Sequence, residues 1–181
     1  MTIVEALKTK KRLNKKLEDL RKKISQYSAH LDNEKPVYAS VEDQRARVQG
    51  WVQSHRDLVK KIEDLSISIQ KTNLNTQVEI SLGGKPVTKS IAQWILRRTQ
   101  LAASEEACFN ALHDRNLRDT VVTASDGKTK QQVSVVRYFD PVERDRMVDT
   151  FRHEPSMIDQ KLEVVNATTQ LVEPVEVNEA E

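Results

Sequence analysis

Two stretches of this 181-residue chain carry the same polar pattern, Asn73-Leu74-Asn75-Thr76-Gln77 and Asn166-Ala167-Thr168-Thr169-Gln170. In each, an Asn stands three residues before a Thr-Gln pair. Asn tolerates the left-handed backbone found at helix exits, and short polar side chains there satisfy free carbonyls or neighbouring amides. Brought together, Asn73, Thr76, Asn166 and Thr169 would form a polar cluster suited to holding a small ligand by hydrogen bonds. The alternative is that both segments simply share capping chemistry.

A second constellation is electrostatic. Between Lys8 and Lys23, nine basic residues face only Glu18 and Asp19. Lys8, Lys15 and Lys22 recur every seven residues and so share one face of a helix, a candidate surface for phosphates or an acidic partner. At the other end, Glu163, Glu173, Glu176, Glu179 and Glu181 meet no basic residue after Lys161. This asymmetry would let one subunit's acidic tail dock on a neighbour's basic arm. A plain solvated face is the competing reading, since no aromatic residues interleave with the lysines to stack on bases.

Residues for covalent or metal chemistry are missing from the motifs. With glycine only at Gly50, Gly83, Gly84 and Gly127, neither a phosphate-cradling loop nor a dinucleotide fingerprint can be written. No His-Glu-x-x-His, Gly-x-Ser-x-Gly or Cys-x-x-Cys occurs, and His30, His55, His113 and His153 lack ligand spacing. Cys108 stands alone, which excludes an internal disulfide, and it is expected as a small core residue. No catalytic residue, cofactor or metal is therefore expected, and the chain is read as not an enzyme.

The elements that must position these residues are long helices. Charged residues make up 31% of the chain against 4 Gly and 5 Pro, a composition that favours helix. Ile3, Ala6, Lys10, Leu13, Leu17, Leu20, Ile24, Tyr27 and Leu31 step by three and four, the seam of a coiled coil. Val41, Arg45, Val48, Val52, His55, Val59, Ile62, Ser66 and Ile69 form a second stripe after Pro36, with Leu58 and Leu65 beside it. Leu13, Leu17, Leu20, Ile24, Val52, Val59 and Ile62 are the expected oligomer or partner interface. From Thr76 the period becomes two, with Gly83-Gly84 as a hairpin turn and a return strand cut short by Pro86. Thr88 or Ser90 then starts a helix bearing Ile91, Trp94, Ile95, Leu101, Ala102, Cys108, Phe109 and Leu112 on one side. Asp126-Gly127 marks a second hairpin, with Val133 to Tyr138 as its return strand. Asp140-Pro141-Val142-Glu143 reads as a capping box opening the last helix, which Pro155 should kink or divide.

The expected fold is mainly α, an elongated antiparallel coiled coil or four-helix bundle with two short β-hairpins. Residues 1–173 form one domain, with helices about 3–31, 40–73, 89–116 and 140–172, hairpins about 76–88 and 120–138, and an acidic tail at 174–181. No apolar run is long enough to cross a bilayer, and Met1 to Glu5 lacks the charged-then-apolar order of a secretory signal. A cytoplasmic or virion location with no membrane partner is the expectation.

Val4-Glu5-Ala6-Leu7, Ile69-Gln70-Lys71-Thr72-Asn73-Leu74-Asn75-Thr76, Gly84-Lys85-Pro86-Val87-Thr88 leading to Arg97-Arg98, and Val165-Asn166-Ala167-Thr168-Thr169-Gln170-Leu171 resemble the DIP1984 family. The similarity covers residues 4 to about 173. That family comprises helical bacterial and phage-associated proteins, one bearing the name septicolysin, and the resemblance implies no catalytic residues. A cytolysin reading is disfavoured because the chain has neither a strongly apolar amphipathic segment nor an aromatic anchor cluster. The functional expectation is a structural or assembly protein that forms a homo-oligomer or joins other protein subunits, such as a capsid-binding or neck component of a phage virion. The alternative is a nucleic-acid-binding or regulatory protein using the Lys8 to Lys23 face.

Overall fold

The Thr2 hydroxyl accepts the Glu5 amide proton while the Glu5 carboxylate accepts the Thr2 amide at 2.8 Å, a reciprocal cap that starts α1 at Ile3–Tyr27. The Ser40 hydroxyl accepts from the Asp43 amide at 3.1 Å and opens α2, Val41–Asn75, with Glu42 and Asp43 at the positive end of its dipole. The structure, a computed structural model, describes residues 1–123, 125 and 127–173. Two compact units divide the chain: Met1–Thr76 with Glu163–Glu181, and Gln77–Leu162.

In the first unit, α1 and α2 lie antiparallel along each other. The Gln44 side-chain amide donates to the Tyr27 carbonyl at 2.9 Å, and Tyr27 and Trp51 have ring centroids 5.7 Å apart. Further along, Leu20 of α1 and Leu58 of α2 line one groove. The α1 stripe keeps to the expected positions from Ile3 to Tyr27, whereas Leu31 lies beyond the helix and is exposed. On α2 the inward stripe is Gln44, Val48, Trp51, His55, Leu58, Ile62, Leu65, Ile69 and Thr72, all buried or half-buried. This corrects the Val41-Arg45-Val59 reading, because Val41 and Val59 are each 44% exposed and Arg45 is exposed too. The two heptad rows are interleaved on one helix, and the row carrying the larger Trp51, Leu58 and Leu65 side chains removes more apolar area from water.

Where α2 ends, the residues after α5 cross it. The Ile3 amide donates to the Thr169 carbonyl and the Leu171 amide to the Met1 carbonyl, both at 3.0 Å. Ile3, Ala6, Leu13, Leu65, Ile69 and Leu171 form the core of this unit. The acidic tail 174–181 lies outside the described residues.

In the second unit, β1 (Gln77–Leu82) and β2 (Lys85–Ser90) pair antiparallel from Gln77↔Ser90 to Leu82↔Lys85. Gly83 and Gly84 turn the chain at φ +56° and +80°, as the two-residue hairpin requires. The return strand runs past Pro86 to Ser90, because in a two-stranded ribbon proline's missing donor can face the open edge. Trp94 is fully buried and its indole N–H donates to the Val78 carbonyl at 2.9 Å, tying helix to ribbon.

Ser90 and Gln93 form a second reciprocal cap for α3, Ile91–Leu96. A π-helical turn, Arg97–Leu101, then joins it to α4, Ala102–Asn110. The Thr99 hydroxyl donates to the Ile95 carbonyl at 2.9 Å, serving a group that the wider turn loosens. The extra residue rotates α4 about its axis, so Ala102 is buried while Leu101 and Cys108 are exposed. Cys108 is thus not a core residue. The helix stops at Asn110, short of Asn116, where Arg115 and Asn116 adopt φ +52° and +60°.

The second ribbon pairs β3, Thr120–Thr123, with β4, Lys130–Val133. Its return strand precedes the expected Val133 to Tyr138 segment, and Tyr138 is 97% exposed. Gly127 has φ +69°, whereas Asp126 of the expected turn lies outside the described residues. Helix α5, Pro141–Thr168, runs undivided through Pro155. Asp140 caps it by accepting from the Val142 amide at 2.9 Å, but Glu143 pairs with Arg146 at 2.6 Å instead of closing the box. Among the described residues, no helix is long and apolar enough to cross a membrane.

Candidate functional site

Past Leu13 on α1 and before Leu65 on α2, no apolar side chain of the hairpin is fully buried. Leu17, Leu20, Ile24, Val48, Trp51, Val52, Leu58 and Ile62 are all half-buried. Among the described residues this distal arm, residues 17–62, is a two-helix seam, closed at its tip by the Tyr27, Tyr38 and Trp51 rings with the Arg47 guanidinium 4.4 Å from the Tyr38 centroid. Of the expected interface residues, Leu13 is buried, Leu17, Leu20, Ile24, Val52 and Ile62 are half-buried in or beside the seam, and Val59 points outward.

Lys8, Lys15 and Lys22 are exposed in one row on α1, and no ion pair among the described residues uses them. The opposite side of the seam differs. There Lys16, Lys23 and Lys61 share a groove with Asp19 and Asp57.

The four residues of the expected polar cluster all belong to the first unit. Thr76 ends α2 with its amide donating to the Thr72 carbonyl at 2.9 Å, and the Thr169 carbonyl takes the Ile3 amide. The hydrogen bonds that join the two helix exits come from other side chains. The Thr72 hydroxyl accepts the Val172 amide at 3.0 Å, and the Ser68 hydroxyl donates to the Glu173 carbonyl. The carbonyl oxygens of Asn73 and Asn166 are buried with no hydrogen-bond partner among the described residues. Two such acceptors can take N–H or O–H donors or contact a cation, but they cannot move a proton. An unpaired buried carbonyl costs about 1–3 kcal/mol. Asn73→Ala and Asn166→Ala should therefore each lower stability by at most about 1 kcal/mol in urea titrations of the isolated protein, because each also removes that cost. A larger loss would mean that a donor is already present.

Sequence reasoning missed a charged layer in the second unit. Glu154 of α5 is 1% exposed and accepts from both Nε and Nη2 of Arg97, the latter at 2.9 Å. Glu105 lies 3.5 Å from the same guanidinium, and Phe151 stacks under it at 5.7 Å. The hydrogen bond to Glu154 holds Arg97 above its ordinary pKa against the cost of burial. Arg98–Asp159 and Arg152–Glu106 flank this pair. No local signal announces it, since the partners lie 57 residues apart.

Mainly helical, with two small antiparallel two-stranded sheets, this is the fold class in which the surfaces above are set. The chain belongs to DUF6847, a family of unknown function, whose model matches residues 10–171. A crystal structure of a functionally unknown conserved protein from Corynebacterium diphtheriae is similar, with TM-score 0.54 and 18% identity over 94% of this chain and 98% of that chain. At that identity the likeness is one of fold. No curated protein matches the sequence, and neither comparison supports a septicolysin-like label.

Proposed function

We propose that this is a non-enzymatic structural or assembly protein that self-associates through its α1–α2 arm. The observation that carries the reading is the distal arm itself: paired helices, none of whose apolar residues reaches full burial, with Val41 and Val59 each 44% exposed beside the seam. A two-helix ribbon of this kind covers too little apolar surface to hold its own order, and a second arm laid on its valine side completes a four-helix coiled coil. Ser66, seven residues after Val59 on that side, supplies a polar position that sets register. The resemblance to the DIP1984 family, with its phage-associated members, adds a virion component as the setting.

A second reading rests on Lys8, Lys15 and Lys22, exposed in one row and suited to phosphates. Light scattering at two salt concentrations, with and without duplex DNA, separates the two. Assembly through the arm gives a multiple of the 20.7 kDa chain mass that holds at both salts and ignores DNA. A monomer that gains mass only with DNA, and loses it in high salt, would replace the first reading with the second.

A further inference from the structure

We infer that a cleft of about 500 Å³ in the second unit binds a small organic acid, an apolar body carrying one carboxylate. Two stretches of chain form its walls. Residues 111–117 leave the end of α4, and residues 135–139 lead from β4 toward α5. Hydrogen bonds fix both walls. The Arg137 guanidinium donates through Nε and Nη2 to the two Asp114 oxygens, each at 2.8 Å, and so ties one wall to the other. The Val135 amide donates to the Asp119 carboxylate at 2.8 Å, and Arg144 of α5 donates to the Leu112 carbonyl at 2.9 Å. The cleft is therefore formed before anything enters it, as small-molecule sites of this size generally are.

Its lining combines uncovered apolar surface with surplus positive charge. Leu117 is 60% exposed and Val136 73%, and Leu112 and the half-buried Phe139 extend the same surface. A ring or short hydrocarbon laid on them would remove that area from water. Arg115 and Arg137 face the single carboxylate of Asp114, so the lining keeps one positive charge. Asp114 is already taken: its hydrogen bonds from Arg137 hold its carboxyl below the usual carboxylate range. Arg115 remains, and no ion pair among the described residues uses it. Next to it, His113 Nδ1 accepts the Arg115 amide at 3.0 Å, which puts the proton of the neutral ring on Nε2 as a second donor. The backbone singles out the same residue. Arg115 and Asn116 adopt φ +52° and +60° in a turn closed by the Leu117 amide on the Asp114 carbonyl at 2.9 Å. Turns with both central residues left-handed ordinarily carry Gly, Asn or Asp there. Asn116 conforms and Arg115 does not, a strain that is accounted for when its guanidinium is needed at the cleft. One surplus charge beside apolar walls suits a carboxylate on a hydrocarbon body, which a guanidinium meets with two parallel hydrogen bonds. The cleft lies within the Gln77–Leu162 unit, so the inference stands or falls apart from association of the arm.

2-Naphthoate and its uncharged counterpart 2-naphthamide probe the cleft in the full-length protein. Titrated into the heavy-nitrogen-labelled chain, the acid should shift the amides of residues 112–117 and 135–139 and saturate, and the naphthamide should bind roughly tenfold more weakly or less. Arg115→Gly removes the charge at a position whose backbone favours glycine, so Tm should hold or rise while 2-naphthoate affinity falls roughly tenfold, to that of the naphthamide. Arg115→Gln should show the same fall in acid affinity, and neither variant should change the affinity for the naphthamide. Equal binding of acid and naphthamide, acid affinity unaltered by both substitutions, or the absence of saturable shifts along the two walls would each overturn the assignment.

Discussion

Val41→Glu combined with Val59→Glu should reduce the particle to the mass of one 20.7 kDa chain. Both side chains lie 44% exposed on the valine side of α2, where the proposed second arm would bury them. A buried carboxylate without a partner costs about 3–5 kcal/mol, and in a two-fold interface each substitution occurs twice. Association should therefore weaken by roughly 100- to 1,000-fold or more, at 1.4 kcal/mol for each factor of ten. Because the arm loses its covering, amide protection across residues 17–62 should fall together with the mass, while amides of the Gln77–Leu162 unit keep theirs. Lys15→Glu is the matched control: it changes charge on the outer row of α1 and should leave the mass as it was. Sedimentation of the three proteins reads the outcome, and a double-glutamate variant with the parent's mass would remove Val41 and Val59 from any interface.

Glu154→Ala should be the most destabilising single substitution in the second unit. It strips the Arg97 guanidinium of its closest partner at a site where the carboxylate is 1% exposed. Breaking a buried pair from one side costs about 3–5 kcal/mol because a buried charge is left without compensation. Glu105, at 3.5 Å and nearly half exposed, recovers part of this and sets the expectation toward the lower end. In a chain of this size that is a fall of roughly 10 °C in Tm. Replacing both partners, Arg97→Met with Glu154→Leu, should recover much of the loss, since apolar pairs of similar volume substitute well for buried ion pairs. Thermal unfolding of the two singles and the double gives the coupling directly, and additive losses would show that the pair contributes no joint stabilisation. The pair also faces Phe151, which meets Phe109 with centroids 5.7 Å apart, so the alanine variant should loosen the contact between α4 and α5 first.

Legibility in the sequence depended on where each signal resides. The stripe from Ile3 to Tyr27 was legible because Leu13, Leu17, Leu20 and Ile24 admit one helical phase. On α2 two phases compete, and counting apolar letters favoured the valine row over a row that includes Gln44 and Thr72. Both polar residues are buried because their hydrogen bonds are met: Gln44 bridges the Val37 amide and the Tyr27 carbonyl at 2.9 Å each, and Thr72 holds Val172. The local residues Ser40, Ser90 and Gly83-Gly84 form the caps and turn they predict, and Asp140 caps α5 without the expected box, because Glu143 pairs with Arg146. The π turn at Arg97–Leu101 has no composition of its own, so the outward rotation of Cys108 could not be seen. Of the candidate sites, the lysine row was visible from spacing alone, and the two helix exits were visible as a repeated pattern. The orphaned carbonyls of Asn73 and Asn166, the descent of Val172 and Glu173 along α2, and the Arg97–Glu154 layer depend on residues far apart in the chain.

The central claim is that the distal arm is half of a structure, finished by the arm of another copy. Sedimentation equilibrium of the unmodified full-length chain over a hundredfold range of concentration tests it most directly. The expected result is a discrete species at a whole-number multiple of 20.7 kDa, dissociating only at the dilute end and losing amide protection at residues 17–62 as it does so. A single 20.7 kDa species at every concentration, with those amides firmly protected, would contradict it.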